Sequence, residues 1–302
     1  MTSTSRSKRL RELPLHIMLL PGVLLTIVFS YIPIAGVVIA FQKFVPAKGI
    51  FESKWIGLDN FAYVFNLPSF TNVLWNTVFI SVMKIIAGLI VPIIVALLLN
   101  EVVGKYFKRT IQTIIYFPYF LSWVILGGIL IDILSPSSGI VNDVIKWLGF
   151  EPVFFLGDEK WFPFTLVISD TWKEFGYSTI VYLAALTAID QHLYEAAIVD
   201  GANRWKQTWH VTLPGMMPIV MLMTVLSLGS VLNAGFDQVF NLYSPMVYST
   251  GDIIDTFVYR LGLLQAQYGV ATAVGLFKSV IAFGLIVLSN FLANRYAGYR
   301  IF

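Results

Sequence analysis

The side chains best suited to chemistry in this 302-residue chain are a few charged, amide and aromatic residues set in or beside long apolar stretches. In chain order they are Lys173, Glu174, Asn233, Phe236, Asp237 and Gln238. Ionisable groups within apolar segments usually face a bundle interior or a water-filled cavity. Amide and aromatic groups together suit a ligand that presents hydroxyls and C–H faces. We predict that these six residues line a path for a polar solute; the alternative for Lys173 is that it snorkels to an interface.

Sulfur, metal and nucleotide chemistry are not expected in this chain. It has no cysteine, and its three histidines are scattered, so we predict no metal site. Nucleotide hydrolysis needs a G-x-x-x-x-G-K-[ST] loop. Lys278 and Ser279 follow Phe277 inside an apolar stretch and do not form one. We therefore predict no catalytic residue and no cofactor in this chain.

The composition is that of a protein surrounded by membrane lipid. Hydrophobic residues make up 57% of the chain and charged residues 12%, whereas soluble domains carry about 25% charged residues. This excludes an ordinary soluble enzyme, a disordered chain and a nucleic-acid-binding domain. The net charge of +3 is too small to indicate a polyanionic partner.

Six stretches have the length and composition to cross a bilayer, which takes about 20 residues of helix. They cover about 17–41, 73–99, 110–134, 162–189, 218–235 and 270–293. The first is too long for the core of a signal peptide, so we expect it to be retained. The sequence thus predicts an all-α integral membrane bundle of six transmembrane helices, forming a single transmembrane domain over residues 1–302.

The distribution of basic residues predicts the orientation of these helices. With the N-terminus inside, the cytoplasmic segments hold eleven Lys and Arg residues and the outer loops hold six. Cytoplasmic loops carry the excess of positive charge in membrane proteins. Both termini and the segment 191–218 are therefore predicted to be cytoplasmic.

Residues 191–218, QHLYEAAIVDGANRWKQTWHVTLPGMMP, do not have the composition of a simple connector. Helix-forming residues run over 193–199, and Gly201 follows where a left-handed residue commonly ends a helix. Ala196 and Ala197 would present a small, flat surface to another protein. The pattern predicts a docking element on the cytoplasmic side.

A second short helix is predicted over about 204–212. Pro214 and Pro218 follow it, and proline is unfavourable inside a helix. We expect these prolines to separate the second short helix from the fifth span.

The spacing in this segment resembles the EAA loop of the membrane subunits of binding-protein-dependent ABC importers. The positions that match, in order, are Glu195, Ala196, Ala197, Asp200, Gly201, Ala202, Leu213 and Pro214. Val211 stands where isoleucine is usual. Residues 31–44, 53–61 and 275–295 further resemble the LplB-like branch of the maltose-permease class, which takes complex oligosaccharides and polysaccharide fragments.

This resemblance implies a multi-pass protein of the bacterial plasma membrane that forms half of a pore, with a second permease subunit as the other half. It implies two copies of a cytoplasmic ATPase, which would bind ATP and Mg²⁺, and an extracytoplasmic sugar-binding protein. The EAA positions would dock in a cleft of the ATPase and convert its closure into rocking of the membrane helices. No nucleic-acid partner is expected.

Two other transport functions stay open from the residues. An importer subunit for another solute would share the docking loop. An ion-driven secondary transporter would need inverted repeats and broken helices around acidic ligands, and the sequence shows no sign of them. A membrane-embedded enzyme would need clustered catalytic groups in the spans, where the sequence has isolated charges.

Overall fold

The computed structural model describes the backbone of residues 3–292 and the side chains of residues 14–291. Within this range the secondary structure is helical apart from one short two-stranded ladder. By its internal contacts the chain forms two compact units, residues 3–66 with 260–276 and residues 67–259 with 277–292. The far end of the sixth predicted span, at residue 293, lies outside the described residues, as do Arg295 and Arg300.

The first unit begins with a helical stretch whose geometry changes along its length. Its parts are α1 (Ser3–Thr26), a π-helical turn (Ile27–Tyr31), α2 (Ile32–Ile34) and a 3-10 helix (Ala35–Phe41). Pro33 has no N–H to donate, and the wider and tighter turns on either side of it keep the chain helical without that bond.

A short hairpin, with one helix between its strands and another after it, follows in this unit. Strand β1 (Gln42–Lys43) pairs antiparallel with β2 (Lys54–Trp55), with Gln42 opposite Trp55. Between them lies α3 (Gly49–Glu52), and α4 (Asp59–Phe65) follows. The ring of Phe41 stacks on Trp55 with centroids 5.6 Å apart, which fixes the start of the hairpin.

The second unit contains most of the remaining helices. In chain order they are α5 (Pro68–Glu101), α6 (Lys105–Tyr116), α7 (Trp123–Ile133), α8 (Ile140–Trp147), α9 (Phe162–Thr187), α10 (Gln191–Val199), α11 (Arg204–Gln207), α12 (Leu213–Leu228), α13 (Phe236–Leu242), α14 (Tyr248–Gly251) and α15 (Ile254–Tyr259). The shorter turns of this unit are 3-10 helices at Phe117–Phe120 and Pro245–Val247 and a π-helical turn at Thr208–Thr212. A π-helical turn at Arg260–Leu264 belongs to the first unit. Helix α16 (Tyr268–Leu292) begins in the first unit and ends in the second.

Two clusters of buried side chains hold the second unit together around α5 and α9. One includes Ile80, Phe162, Leu166 and Val239, and the other includes Ala96, Tyr182 and Met216. Gly176 on α9 brings this helix close to α6, since a Cβ there would lie 2.0 Å from the carbonyl oxygen of Ile115. The long helices α5 and α9 therefore form the scaffold of this unit.

The predicted membrane architecture is confirmed in its main features. In the described range, four helices are long and apolar enough to cross a membrane: Pro14–Phe41, Pro68–Glu101, Arg204–Leu228 and Tyr268–Phe291. A bent pair, Lys105–Phe120 with Trp123–Ile133, makes a fifth if it is counted as one span. Helix α9 has 26 residues but carries Asp170, Lys173 and Glu174. The count of six spans and the cytoplasmic termini stay predictions.

The stretch over 110–134 differs from the single straight span that its hydropathy predicts. Its two helical parts are bent by 103°. Pro118 lies in the 3-10 helix before the break, and Leu121 and Ser122 are extended. The Ser122 hydroxyl then accepts a hydrogen bond from the N–H of Ile125 at 3.3 Å, which caps the second helix.

The fifth span also begins earlier than the predicted 218–235. The predicted short helix over 204–212 continues without a break into α12, which ends at Leu228. A π-helical turn directly precedes Leu213 and Pro214, and its wider geometry tolerates a proline that has no N–H to donate. The hydrogen-bonding pattern changes to a π-helical turn before Pro214, and neither proline ends the helix.

Asn142 organises the connection between α7 and α9. It is fully buried. The alternation of apolar and polar residues over 139–150 predicts instead an amphipathic helix with Asn142 beside Asp143 and Lys146 on its polar face. Its amide nitrogen donates to the carbonyls of Leu134, Ser135 and Val153 at 3.0–3.2 Å, and its oxygen accepts from the N–H of Val153 at 2.8 Å. One side chain thus supplies hydrogen-bond partners to the main chain of two loop segments, one at the end of α7 and one before α9.

Replacing Asn142 with alanine should lower the thermal midpoint of the detergent-solubilised protein. The carbonyl of Leu134 and the main-chain groups of Val153 would lose the partner that Asn142 provides, and a buried group left unsatisfied costs about 1–3 kcal/mol. Scanning fluorimetry measures the shift. Asp143→Ala, at a carboxylate whose side chain is 61% exposed, is the matched control. Equal midpoints for the two variants would contradict this role of Asn142.

Candidate functional site

The segment 190–202 forms a helix with a well-defined start and end. The Asp190 carboxylate accepts from the N–H of His192 at 3.0 Å and caps α10. At the other end Gly201 has φ +73°, the left-handed conformation that glycine adopts without strain. The N–H of Ala202 donates to Ala197 at 2.9 Å and that of Gly201 to Ile198 at 3.0 Å. This pair of bonds is the Schellman arrangement, so the predicted stop at Gly201 is confirmed.

The turn after Gly201 is held to the next helix by side chains. Asn203 caps α11 by accepting from the N–H of Lys206 at 2.9 Å. The Gln207 amide donates to the carbonyl of Ala202, also at 2.9 Å. The hydroxyls of Tyr194 and Thr212 lie 3.0 Å apart and join α10 to the π-helical turn that leads into α12. The predicted helix, sharp turn and helix are therefore joined into one element by side-chain hydrogen bonds.

The residues predicted for docking lie at the surface of this element. Glu195, Ala196, Asp200, Gly201 and Pro214 are exposed, and Ala197, Ala202 and Leu213 are half-buried. Sequence reasoning missed four apolar side chains that accompany them, namely Leu193, Ile198, Val199 and Trp205, which are 53–87% exposed. A cluster of exposed apolar groups next to carboxylates is typical of a protein contact.

An ion pair connects this element to the end of α5. Arg204 at the start of α11 pairs with Glu101, the last residue of α5. His192 and Glu195 lie 3.2 Å apart on one face of α10. The start of α11 is therefore linked to the end of α5.

A second polar cluster lies among the long helices and is centred on Lys84 of α5. The ammonium donates to the Asp170 carboxylate at 3.2 Å, to the carbonyl of Ala234 at 2.7 Å and to the Gln238 amide oxygen. An ammonium has three N–H donors, so three acceptors satisfy it. Gly235, with φ +90°, leaves room for it, because a Cβ there would lie 3.0 Å from the Lys84 nitrogen.

Gln238 extends this cluster to the core of α9. It is fully buried, and its amide nitrogen donates to the carbonyl of Leu166 and to the hydroxyl of Ser169, both at 2.8 Å. The helices α5, α9 and α13 are thus joined by one network of charge-assisted hydrogen bonds. Such a network is stable only when every member is paired, as these atoms are.

A cavity of about 310 Å³ opens beside this network. Its polar lining comes from Lys84 and Asp170 and from a row of neutral groups: Ser81, Ser178, Ser227, Ser230 and Asn233. Apolar atoms of α5 and Met223 form the rest of the wall together with Tyr182, Ala234 and Gly235. Hydroxyl and amide groups of this kind exchange hydrogen bonds readily with water or with a hydroxylated solute.

The structure brings together part of the predicted solute path. Asn233 lines the cavity, and Gln238 lies behind it and holds Lys84. Phe236 and Asp237 begin α13 directly after Gly235, with Asp237 exposed and the Phe236 ring stacked 5.2 Å from Phe240. These four residues therefore belong to one region of the second unit.

Lys173 and Glu174 lie at a different place, beside the bend between α6 and α7. The Lys173 ammonium donates to the carbonyl of Tyr119 and to the Glu174 carboxylate, each at 3.0 Å. It also lies 5.0 Å from the ring of Tyr119 and 5.7 Å from that of Trp123. A cation at this point satisfies a carbonyl freed by the broken helix and interacts with two aromatic faces.

Sequence reasoning missed Asp170 and the serines as lining residues. The signal was present in the opposite charges of Lys84 and Asp170 on two separate spans, since buried ions in a membrane pair with each other. Ser227 and Ser230 stand three residues apart and so share one side of the chain where α12 ends. Within the described residues, no group of three metal-ligating side chains comes together.

Comparison with a family profile identifies a match over most of the chain. The family described as "Binding-protein-dependent transport system inner membrane component" matches residues 88–298. This range contains α9 to α13, and with them the docking element and most of the residues that line the cavity.

Two curated proteins of Bacillus subtilis (strain 168) are similar to nearly the whole chain. Protein LplB is 41% identical over 286 residues, covering 95% of this chain and 90% of that protein. The polygalacturonan/rhamnogalacturonan transport system permease protein YteP is 40% identical over 289 residues, covering 96% and 90%.

Two solved structures share the fold along nearly the whole chain. A chain of a bacterial ABC transporter involved in the import of the acidic polysaccharide alginate has a TM-score of 0.89 and 38% identity, covering 97% of this chain and 99% of its own. A chain of the alginate transporter in complex with its alginate pentasaccharide-bound periplasmic protein has a TM-score of 0.89 and 37% identity, covering 98% and 99%.

The Lys84 network predicts a specific response to mutation. Lys84→Met should destabilise the full chain by about 3 kcal/mol, because the Asp170 carboxylate would stay in a partly buried position without its cation. Adding Asp170→Leu should recover part of this loss. Thermal midpoints in detergent measure both effects.

A surface ion pair provides the control for this experiment. Lys146 and Asp143 are 3.6 Å apart, with side chains 41% and 61% exposed. Lys146→Met should change stability by less than about 0.5 kcal/mol. A double variant at 84 and 170 that is no more stable than Lys84→Met would show that the two groups do not depend on each other.

Proposed function

The chain belongs to the family of inner membrane components of binding-protein-dependent transport systems, and on that premise we propose that it is a pore subunit of an ATP-driven importer for oligosaccharides or polysaccharide fragments. The observation that carries the proposal is its match along 97% of its length to a chain of the alginate importer at 38% identity. The relative YteP is named for polygalacturonan and rhamnogalacturonan transport, which supports the same class of solute.

The proposed topology has six spans with both termini and the segment 191–218 in the cytoplasm. Four apolar helices, the bent pair around Pro118, and α9 together make six. The charges on α9 do not argue against its span, because Lys173 and Asp170 are paired within the unit. The excess of basic residues in the proposed cytoplasmic segments supports the orientation.

We propose that the solute passes through the cavity beside Lys84. Asn233, Ser227 and Ser230 would exchange hydrogen bonds with successive hydroxyls of a sugar chain. Phe236 and Asp237 would extend this surface, while Gln238 and Lys173 would hold the helices that form it. Several neutral groups in a row favour passage, since none would bind a hydroxyl strongly enough to retain it.

The docking element would couple this path to an ATPase. Glu195, Ala196, Ala197, Asp200 and Gly201 would lie in a cleft of that subunit, with Ile198 and Val199 as the apolar contact. A shift of α10 would pass through Tyr194 and Thr212 to α12. Helix α12 has 16 residues and is about 24 Å long, and the residues that follow it reach the cavity.

The remaining partners follow from the same proposal. A second permease subunit would complete the pore as a heterodimer, and two copies of the ATPase would bind ATP and Mg²⁺ and hydrolyse the nucleotide. An extracytoplasmic sugar-binding protein would deliver the solute. One docking element per chain supports this stoichiometry, because two ATPases need two such elements. Purified alone, this chain would not hydrolyse ATP.

Uptake by the reconstituted importer tests the solute path. Asn233→Leu together with Ser227→Val should reduce uptake of labelled oligogalacturonate several-fold while assembly and basal ATP hydrolysis stay near the wild-type level. Thr224→Val is the matched control, since Thr224 also bonds its own helix but lies outside the cavity lining. Wild-type uptake by the Asn233→Leu, Ser227→Val protein would remove this cavity from the path.

The coupling role predicts a graded series of variants at the turn. Gly201 has open space around it, so Gly201→Val would be strained through its positive φ, by about 1–2 kcal/mol. Gly201→Asn should cost less, because asparagine tolerates this conformation. Transport-coupled ATP hydrolysis should be lost most in Gly201→Val and least in Ala197→Ser.

The same segment offers a topology test, because the chain has no natural cysteine. In intact cells, Ala197→Cys should react with a membrane-permeant maleimide and resist an impermeant one. It should also cross-link to a cysteine placed in the ATPase cleft. Labelling from the outside, or full transport by Gly201→Val, would contradict the coupling assignment.

A further inference from the structure

A second cavity, in the unit formed by residues 3–66 and 260–276, has features of a ligand site that the proposed path does not use. We infer that it binds a sugar ring of the transported oligosaccharide, as a subsite separate from the cavity beside Lys84. This inference rests on the proposed function, because it takes the solute to be a carbohydrate. It assigns a role to the segment between the first two spans.

The size and lining of the cavity suit a pyranose ring. Its volume is about 620 Å³, within the roughly 300–1,000 Å³ typical of small-ligand pockets. Three aromatic residues lie in the wall, Phe44, Tyr63 and Tyr268, and Phe44 and Tyr268 meet edge to face at 5.9 Å. Aromatic faces pack against the C–H faces of sugars, and this cavity offers them on more than one side.

Two acceptors of the wall lack donors, and Lys43 also lines the cavity. The side-chain oxygens of Gln42 and Gln267 are both buried and have no hydrogen-bond partner among the residues that the structure describes. Gln42 is 94% buried, with 6% of its surface exposed. Its amide nitrogen donates to the carbonyl of Ile50 at 2.9 Å, and this bond fixes which end of the amide is the unpaired oxygen.

A buried acceptor without a donor is rare in folded proteins and calls for a physical explanation. A hydroxyl group is the donor that would satisfy it, and a sugar ring presents several hydroxyls at once. Asp59 adds a carboxylate acceptor at the mouth. Aromatic faces beside unpaired acceptors therefore point to a hydroxylated ring and not to an aliphatic ligand.

The backbone beside Gln267 is strained in a way that positions it. Ala266 has φ +54°, the one positive value at a non-glycine residue in the described range. The N–H of Gln267 donates to the carbonyl of Leu261 at 2.8 Å, across the π-helical turn Arg260–Leu264. Backbone strain and π-helical turns both concentrate at ligand sites, where they aim a side chain.

The opposite wall of the cavity is rigid. The Asn60 amide donates to the carbonyls of Ala40 and Gln42 at 2.8 and 3.0 Å, which holds α4 against β1. Gly269 packs so closely there that a Cβ would lie 2.7 Å from the Gln42 carbonyl oxygen. A site with fixed walls loses little conformational freedom on binding.

Direct binding to the assembled importer in lipid nanodiscs tests this inference, with trigalacturonate as an acidic probe and maltotriose as a neutral one. Dissociation constants come from saturation-transfer NMR titrations. Tyr63→Ala should raise the constant at least fivefold, and Tyr63→Phe, which keeps the ring, should stay within twofold of the wild type. Gln267→Leu should weaken binding by a similar factor without lowering the thermal midpoint, because its oxygen has no partner to lose.

Phe51→Ala is the matched control, because Phe51 is a fully exposed aromatic of the same unit that lies outside the cavity wall. Constants within twofold for all variants, or an equal loss in Phe51→Ala, would overturn the inference. So would a loss of binding-protein docking in Tyr63→Ala with unchanged sugar constants, because the cavity would then take a protein surface.

The same experiment separates failure of this inference from failure of the proposed function. A wild-type importer that transports sugar, with constants insensitive to Tyr63→Ala and Gln267→Leu, would remove the subsite and leave the importer assignment intact. Sugar neither bound nor taken up by the wild-type importer would remove both.

Discussion

The ammonium of Lys84 is the interaction on which the larger unit depends. It supplies three donors to three acceptors, and those acceptors come from α9, from α13 and from the turn that joins α12 to α13. A charge in an apolar medium is tolerated only when such pairing is complete. This cation therefore holds α13 to α5, while the bonds of Gln238 to Leu166 and Ser169 hold α13 to α9.

The same requirement, that polar groups in a membrane be satisfied internally, explains where the helices break. The bend between α6 and α7 frees backbone groups, and Lys173 and Ser122 provide partners for two of them. The π-helical turn before Pro214 lets α12 begin without an interruption that would expose its backbone. Irregular backbone in this chain is accompanied by a side chain or a wider turn that compensates for it.

Much of this architecture could be predicted from the sequence, and the exceptions have physical causes. Long apolar stretches predicted four of the apolar helices, and the spacing around Gly201 predicted the turn that ends α10, because both are local properties. The 103° bend was not predicted, since hydropathy does not distinguish a straight span from two helices joined at Pro118. The burial of Asn142 and the meeting of Lys84 with Asp170 depend on contacts across 7 to 86 residues of sequence, and periodicity carries no such information.

On the proposed solute path, the cavity beside Lys84 also bears on which sugars would pass. Its one cation is paired with its one carboxylate, so the wall presents no uncompensated charge to a solute, and the remaining polar groups are neutral. A neutral wall distinguishes poorly between an acidic and a neutral sugar, because strong discrimination requires a buried group that one of them leaves unpaired. On this proposal, selection by charge would occur before the solute reaches the cavity. Passage along the proposed path would then use weak, exchangeable hydrogen bonds, which suits transport, since a site that held its solute tightly would release it slowly.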